Sequence, residues 1–155
     1  MALNSSAPQP TLKGRALRHL STREHSRQEL TQKLKTFEVE PGELARVLDE
    51  LEAKDFVNEQ RVVDSVVHRR SGKLGALRIR QELQRKGLPA DAVQAAVAGL
   101  KATELERARG VWQKKFGAVA QTPAERAKQA RFIASRGFGA EVLRRVVSGT
   151  DDESL

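Results

Sequence analysis

The feature that most constrains what this chain can fold into is an internal repeat. Displaced by 49 residues against itself, the chain lays Leu30, Leu34, Val39, Leu44, Val47, Leu48 and Leu51 on Ile79, Leu83, Leu88, Val93, Ala96, Val97 and Leu100. Displaced by 50, it lays Leu83, Lys86, Gly87, Leu88, Val93 and Val97 on Ile133, Arg136, Gly137, Phe138, Leu143 and Val147. The apolar residues recur at intervals of three and four, the period of a helix with one buried face. A self-similarity of this length marks an array of supersecondary units. The shared unit is a helix, then Lys/Arg-Gly-apolar, then a second amphipathic helix, with another helix before each pair. Gly87 and Gly137 stand where a helix ends and the chain takes φ > 0, which costs Gly least. The first copy has Glu38 at that place, so its turn is expected to differ.

Start signals supply the remaining helices. Leu12, Ala16, Leu17 and Leu20 open the first, and Ser26 with Glu29 forms a capping box before Leu30 and Leu34. Pro41 predicts the first turn of a helix carrying Leu44, Val47, Leu48 and Leu51. Val62, Val63, Val66 and Val67 mark the next helix. A basic helix follows, in a stretch where Leu74, Leu77, Ile79, Leu83 and Leu88 have core-like spacing. Another starts at Pro89 with Val93, Val97 and Leu100. Val111, Trp112 and Phe116 share a helix. Thr122-Pro123-x-Glu125 supplies a cap, a first-turn Pro and a capping-box Glu, and Val142, Leu143, Val146 and Val147 lie on the last helix. Aromatic residues make up 4% of the chain and Tyr is absent, a composition suited to helices rather than strands. The expected fold is all-α. Nine helices form three three-helix units, 12–57, 58–101 and 102–148, between a Ser- and Pro-rich tail at 1–11 and an acidic one at 149–155. Units this short bury little alone, so they are expected to lean on one another as an elongated, curved array.

Several function classes drop out. With no Cys there is neither a disulfide framework nor a thiolate nucleophile or metal site. The start, MALNSSAPQP, has no basic region followed by an apolar core, and no stretch approaches the roughly 20 apolar residues of a membrane span. A cytoplasmic protein is expected. His19, His25 and His68 lack partners at metal-ligand spacing and are expected at exposed or half-buried helix positions. The phosphate loop GxxxxGK[ST], the G-x-S-x-G elbow and H-E-x-x-H are all missing. Asp49, Glu50 and Glu52 read as a solvated or Arg-binding surface, because neighbours on a helix face different ways. Trp112 and Phe116, at i and i+4, and Phe132 and Phe138 read as core. No catalytic residue, cofactor or metal site is expected.

Charge carries the positive signal. The chain has a net charge of +8, yet residues 1–60 hold nine basic residues against ten acidic ones, so the excess lies further along. Between residues 61 and 90, eight basic residues face only Asp64 and Glu82. On the basic helix Ile79 and Leu83 define the buried face. Arg78, Glu82 and Arg85 share one flank and Arg80 lies on another, with Arg69, Arg70 and Lys73 before them and Lys86 after. Arg126, Lys128, Arg131, Arg136, Arg144 and Arg145 would continue a basic surface into the third unit. This pattern alone leaves three readings open: a polyanion site, a surface for an acidic protein, and a solvated face in which Arg78 and Glu82 pair.

The repeat, the run "KLGALRIRQELQRKGL" at 73–88 and "RFIASRGF" at 131–138 resemble the RecX family of bacterial recombination regulators. The likeness spans roughly residues 12 to 148, and Gly75, Arg78, Ile79, Glu82, Leu83, Lys86 and Gly87 are its most specific part. "KDFVNEQRVVDSVVHRR" resembles the family's junction between first and second units, with Val62 and Val63 in place of an aromatic-Ala pair and Asn58-Glu59 in place of an acidic pair. The resemblance implies a monomeric, non-catalytic protein of recombination and DNA repair. Such a protein binds the RecA recombinase filament on single- or double-stranded DNA and suppresses its extension, ATPase activity and strand exchange. The alternative from a different class is a free-standing helical DNA-binding protein of transcription or nucleoid organisation.

Overall fold

The computed structural model describes residues 8–149. The parts of the expected tails at 1–7 and 150–155 lie outside the described residues. Within them the chain is all-helical: α1 Leu12–Thr22, α2 Arg27–Leu34, a short 3-10 turn Lys35–Phe37, α3 Glu43–Ala53, α4 Glu59–Arg70, α5 Ala76–Arg85, α6 Ala90–Lys101, α7 Glu104–Lys115, α8 Pro123–Ser135 and α9 Ala140–Ser148. It forms two compact units, one up to Val62 and one from Val63.

Local chemistry accounts for most helix ends. The Ser26 hydroxyl accepts from the Glu29 amide while the Glu29 carboxylate accepts from the Ser26 amide, closing the expected capping box. Thr122 caps α8 with Pro123 in its first turn, as expected, but Glu125 accepts from the amide of Gln121 rather than that of Thr122. Pro41 does not begin α3. It sits in the preceding turn, and Gly42, at φ +84°, is the residue before the helix. Pro89 likewise precedes α6, which starts at Ala90.

In the first unit, α1, α2 and α3 pack on one another around Leu12, Ala16, Leu30, Leu34, Leu44, Leu48, Leu51 and Val57. The repeat breaks here at one position. Leu88 and Phe138 are buried after their glycines, whereas Val39 is 87% exposed. With Glu38 in place of Gly, the chain leaves α2 through the 3-10 turn and Glu38 takes an extended conformation, leaving Val39 outside the core. His25 also departs from expectation. It lies in the loop before α2, is 1% exposed, and its ring donates from Nδ1 to the Arg23 carbonyl.

In the second unit, α5 pairs with α6, while α7, α8 and α9 pack mutually around Ala108, Ile133, Phe138 and Val146. Val93 and Leu100 of α6 are buried together with Ala76, Ile79 and Leu83 of α5. Leu77, expected in that stripe, is 52% exposed. Trp112 is half-buried against this core, and its indole N–H donates to the buried amide of Gln129, so its polar edge is satisfied. The second and third repeats thus share one compact unit, and the tie is a head-to-tail meeting of two helices. Gly75, before α5, has no side chain to cap the helix. Instead the Gly75 amide donates to the Arg136 carbonyl at 2.7 Å and the Leu77 amide to the Gly137 carbonyl at 3.1 Å, so carbonyls at the end of α8 satisfy free donors at the start of α5. The Ala76 amide donates to the buried Glu104 carboxylate. Gly137 lies at φ +88°, and the two glycines pack so closely that a Cβ on Gly75 would fall inside 3.0 Å of the Gly137 backbone. A Cβ on Gly137 would meet Arg78 in the same way. Arg107 completes the tie by donating to the carbonyls of Ser71, Leu74 and Leu100, and burial lowers its pKa from the ordinary value.

Candidate nucleic-acid interface

The glycine junction sets α5, α7 and α8 around a groove of about 600 Å³ in the second unit. Each wall is a stripe at helical spacing. Arg78, Gln81, Glu82 and Arg85 come from α5, Val111, Lys114 and Lys115 from α7, and Phe132 and Arg136 from α8 and its end. The end of α4 adds Arg70, and the turn after it adds Gly72, Lys73 and Leu74. Among the described residues, seven cations therefore line the groove with one carboxylate, that of Glu82. Glu82 accepts from Arg70 at 3.2 Å rather than from Arg78, the pairing that the solvated-face reading offered. Close cations repel one another, and their field attracts anions.

The floor of the groove is apolar. Leu74, Val111 and Phe132 are all half-buried. Phe132 meets Phe116 edge to face at 5.5 Å, the Arg136 guanidinium lies 4.7 Å from the Phe132 ring centre, and the Lys115 ammonium lies 5.4 Å from it. Such cation–π contacts hold the two cations at the groove without neutralising them.

Of the basic residues singled out from sequence, Arg70, Lys73, Arg78, Arg85 and Arg136 come together here. Arg78 is also a structural residue, since its guanidinium donates to the Ser135 carbonyl at 2.7 Å and its side chain lies against Gly137. Arg69, Arg80 and Lys86 lie outside the groove, as do Arg126 and Arg131 on α8 and Arg144 on α9. Lys128 lines a separate hollow beside Phe116, and Arg145 another beside Trp112. Only Arg136 of the third unit's six candidates joins the groove. Lys114 and Lys115, not singled out from sequence, also line the groove, and Phe132, expected in the core, packs against it and faces the groove as well. A helical wheel of α7 places Val111, Lys114 and Lys115 on one face, but only the junction shows that this face meets α5.

No group of three or more His, Cys, Asp or Glu side chains able to hold a metal occurs among the described residues. None of the described helices is long and apolar enough to cross a membrane. In the first unit Asp49, Glu50 and Glu52 are taken up by neighbouring cations. Arg27 reaches Asp49 and Glu52, and Glu50 holds both Lys13 and Lys54, whose ammonium groups draw its pKa down to about 2.

Comparison with known proteins matches three successive stretches of the chain. Residues 13–51, 58–97 and 102–147 match the first, second and third three-helix domains of RecX. The chain is 50% identical over 149 residues to the regulatory protein RecX of Leptothrix cholodnii, covering 96% of this chain and 95% of that one. It is 43% identical over 141 residues to the regulatory protein RecX of Ralstonia nicotianae, covering 91% and 89%. The crystal structure of RecX from Lactobacillus salivarius has the same fold at 16% identity, with a TM-score of 0.75 over 90% of this chain and 94% of that one. A second RecX crystal structure matches with a TM-score of 0.74 at 20% identity, over 87% of this chain and 70% of that one. Three matched domains in register, with half the residues identical to a regulatory relative along nearly its whole length, mean that this chain belongs to the RecX family of regulatory proteins.

Proposed function

We propose that the chain binds the RecA recombinase filament on DNA in the cytoplasm as a monomer. There it acts without catalysis, mainly inhibiting ATP hydrolysis, filament extension and strand exchange. The observation that carries this reading is the groove of seven cations around Glu82, a surface built for phosphates on a member of a regulatory family. In this reading the groove grips the DNA backbone within the filament, and the bulk of the helical units occupies space that an incoming duplex needs. If about five phosphates are held, log affinity falls against log salt with a slope near −3.5, about a hundredfold for fourfold more salt.

The test is DNA-dependent ATP hydrolysis by preformed RecA filaments on single-stranded DNA, with this protein well below one per RecA subunit. The informative partner is Lys73→Glu with Lys114→Glu, since both side chains line the groove, are exposed and make no ion pair among the described residues. Strong loss of hydrolysis with the natural protein and a weak effect with the folded double variant is the expected result. An effect that appears only when the protein is abundant enough to coat the DNA would overturn the filament reading in favour of a free-standing DNA-binding protein.

A further inference from the structure

We infer that the groove takes a nucleotide unit of a single strand, seating an unstacked base on its floor as well as phosphates at its rim. The inference rests on the proposed reading of this groove as a DNA contact and adds the form of the DNA and the part of it that is recognised. A site for phosphates alone needs donors and charge, and apolar floor area contributes nothing to it. Here the cations of Lys73, Lys114 and Lys115 are set around a half-buried floor of Leu74, Val111 and Phe132, so the fitting ligand is an anion with an apolar, flat body. The volume, about 600 Å³, lies within the roughly 300–1,000 Å³ of small-molecule sites and far exceeds the space one phosphate fills. Phe132 with the Arg136 guanidinium over it provides an aromatic and cationic platform, and every base has a π-face to lay on such a surface. A duplex keeps its bases stacked inside and presents only its backbone to such a pocket, whereas a single strand can turn a base into it. An acidic protein segment would satisfy the rim and leave the floor to whatever apolar residue it carried.

The experiment compares a thymidine 15-mer with an abasic oligonucleotide of the same length and charge, by fluorescence anisotropy across a salt series with the full chain. The thymidine strand should bind about tenfold tighter, within the range for one stacked base. Both should have the same salt slope, since the phosphates are the same. A blunt duplex of equal length should bind more weakly than the thymidine strand at each salt concentration. Phe132→Leu, checked for helical content, should lose most of the tenfold preference and keep the slope. Equal affinity for abasic and thymidine strands would overturn the base seat while leaving the groove as a phosphate site. Failure of Lys73→Glu with Lys114→Glu to weaken binding or flatten the slope would overturn both, by removing the groove from the interface. Val111→Ala on the same floor, reducing the preference without touching Phe132, separates a lost seat from a misfolded variant.

Discussion

In the first unit Lys13 and Lys54 share the Glu50 carboxylate, Arg27 reaches Asp49 and Glu52, and Arg61 reaches Glu24 and Asp55. In the second, seven cations line one groove around Glu82 alone. The two units come from the same repeat and put their charge to different use. Exposed ion pairs contribute little to stability, about 0–1 kcal/mol each, so the balanced charge of the first unit mainly leaves it without a strong field. The second unit gathers its cations where the glycine junction brings three helices together. That junction is therefore the place where the difference between the units can be broken.

The largest effect is expected from Gly75→Ala. The added Cβ would collide with the Gly137 backbone, which cannot swing aside as a flexible side chain would. Overpacking of this kind costs about 3 kcal/mol, and denaturant unfolding followed by Trp112, the chain's single Trp, should show the loss in the second unit. Gly137→Ala adds a strained φ of +88° to the same crowding and should be at least as damaging. A midpoint for Gly75→Ala equal to that of the natural chain would show that the junction does not hold the groove together.

Next comes a contrast between two cations that line the groove. Arg78→Ala removes the bond to the Ser135 carbonyl and packing against Gly137, and is expected to cost about 1–2 kcal/mol in the same assay. Lys114→Ala, exposed and also lining the groove, should change stability by less than about 0.5 kcal/mol while weakening binding to single-stranded DNA. Equal stability losses in both would remove the distinction between a structural and a ligand-facing cation. Glu82→Gln should act in the opposite direction. It removes the one carboxylate from the groove and releases Arg70, so DNA affinity should rise a few-fold at low salt and the gain should fade as salt screens it.

These residues also show which parts of the molecule are legible in sequence. The helices, the Ser26–Glu29 box and the Thr122-Pro123 start are legible because their signals lie within a few residues of one another. The stops at Gly87 and Gly137 are legible for the same reason, and both glycines have positive φ. Arg78 illustrates what is not legible. A helical wheel puts it on the solvent flank with Glu82, but its guanidinium is claimed by the carbonyl of Ser135, 57 positions along the chain. The groove itself is half legible. Its α5 wall is visible as a basic stripe, whereas Lys114, Lys115 and Phe132 join it only through the contact of Gly75 with Gly137. His25 was hidden differently, since nothing local marks a loop histidine as buried.

That histidine supplies the smallest and most selective test, because it gives the charge-balanced unit a pH response of its own. Burial lowers the pKa of the His25 imidazole below its ordinary 6.5, opposed by its bond to the Arg23 carbonyl and by Glu29, and assisted by Arg23 and Lys33. Below pH 6.5 the unfolded chain takes up a proton at His25 that the folded unit resists, so acid favours unfolding. The stabilisation from a neutral His25 is full above 6.5, starts to fall there and is lost as the pH drops through the folded value. Carboxylates respond in a lower window: Glu50, held at about 2 by Lys13 and Lys54, begins to lose its contribution only below its ordinary 4.5. Amide exchange at Leu30 and Leu48 should therefore quicken between pH 7.5 and 5.5, after correction for intrinsic rates. His25→Gln, whose side-chain amide can still donate to the Arg23 carbonyl, should flatten that dependence. An unchanged pH profile in the variant would place the response elsewhere in the unit, and a flat profile in the natural chain would mean that His25 takes up its proton as readily folded as unfolded.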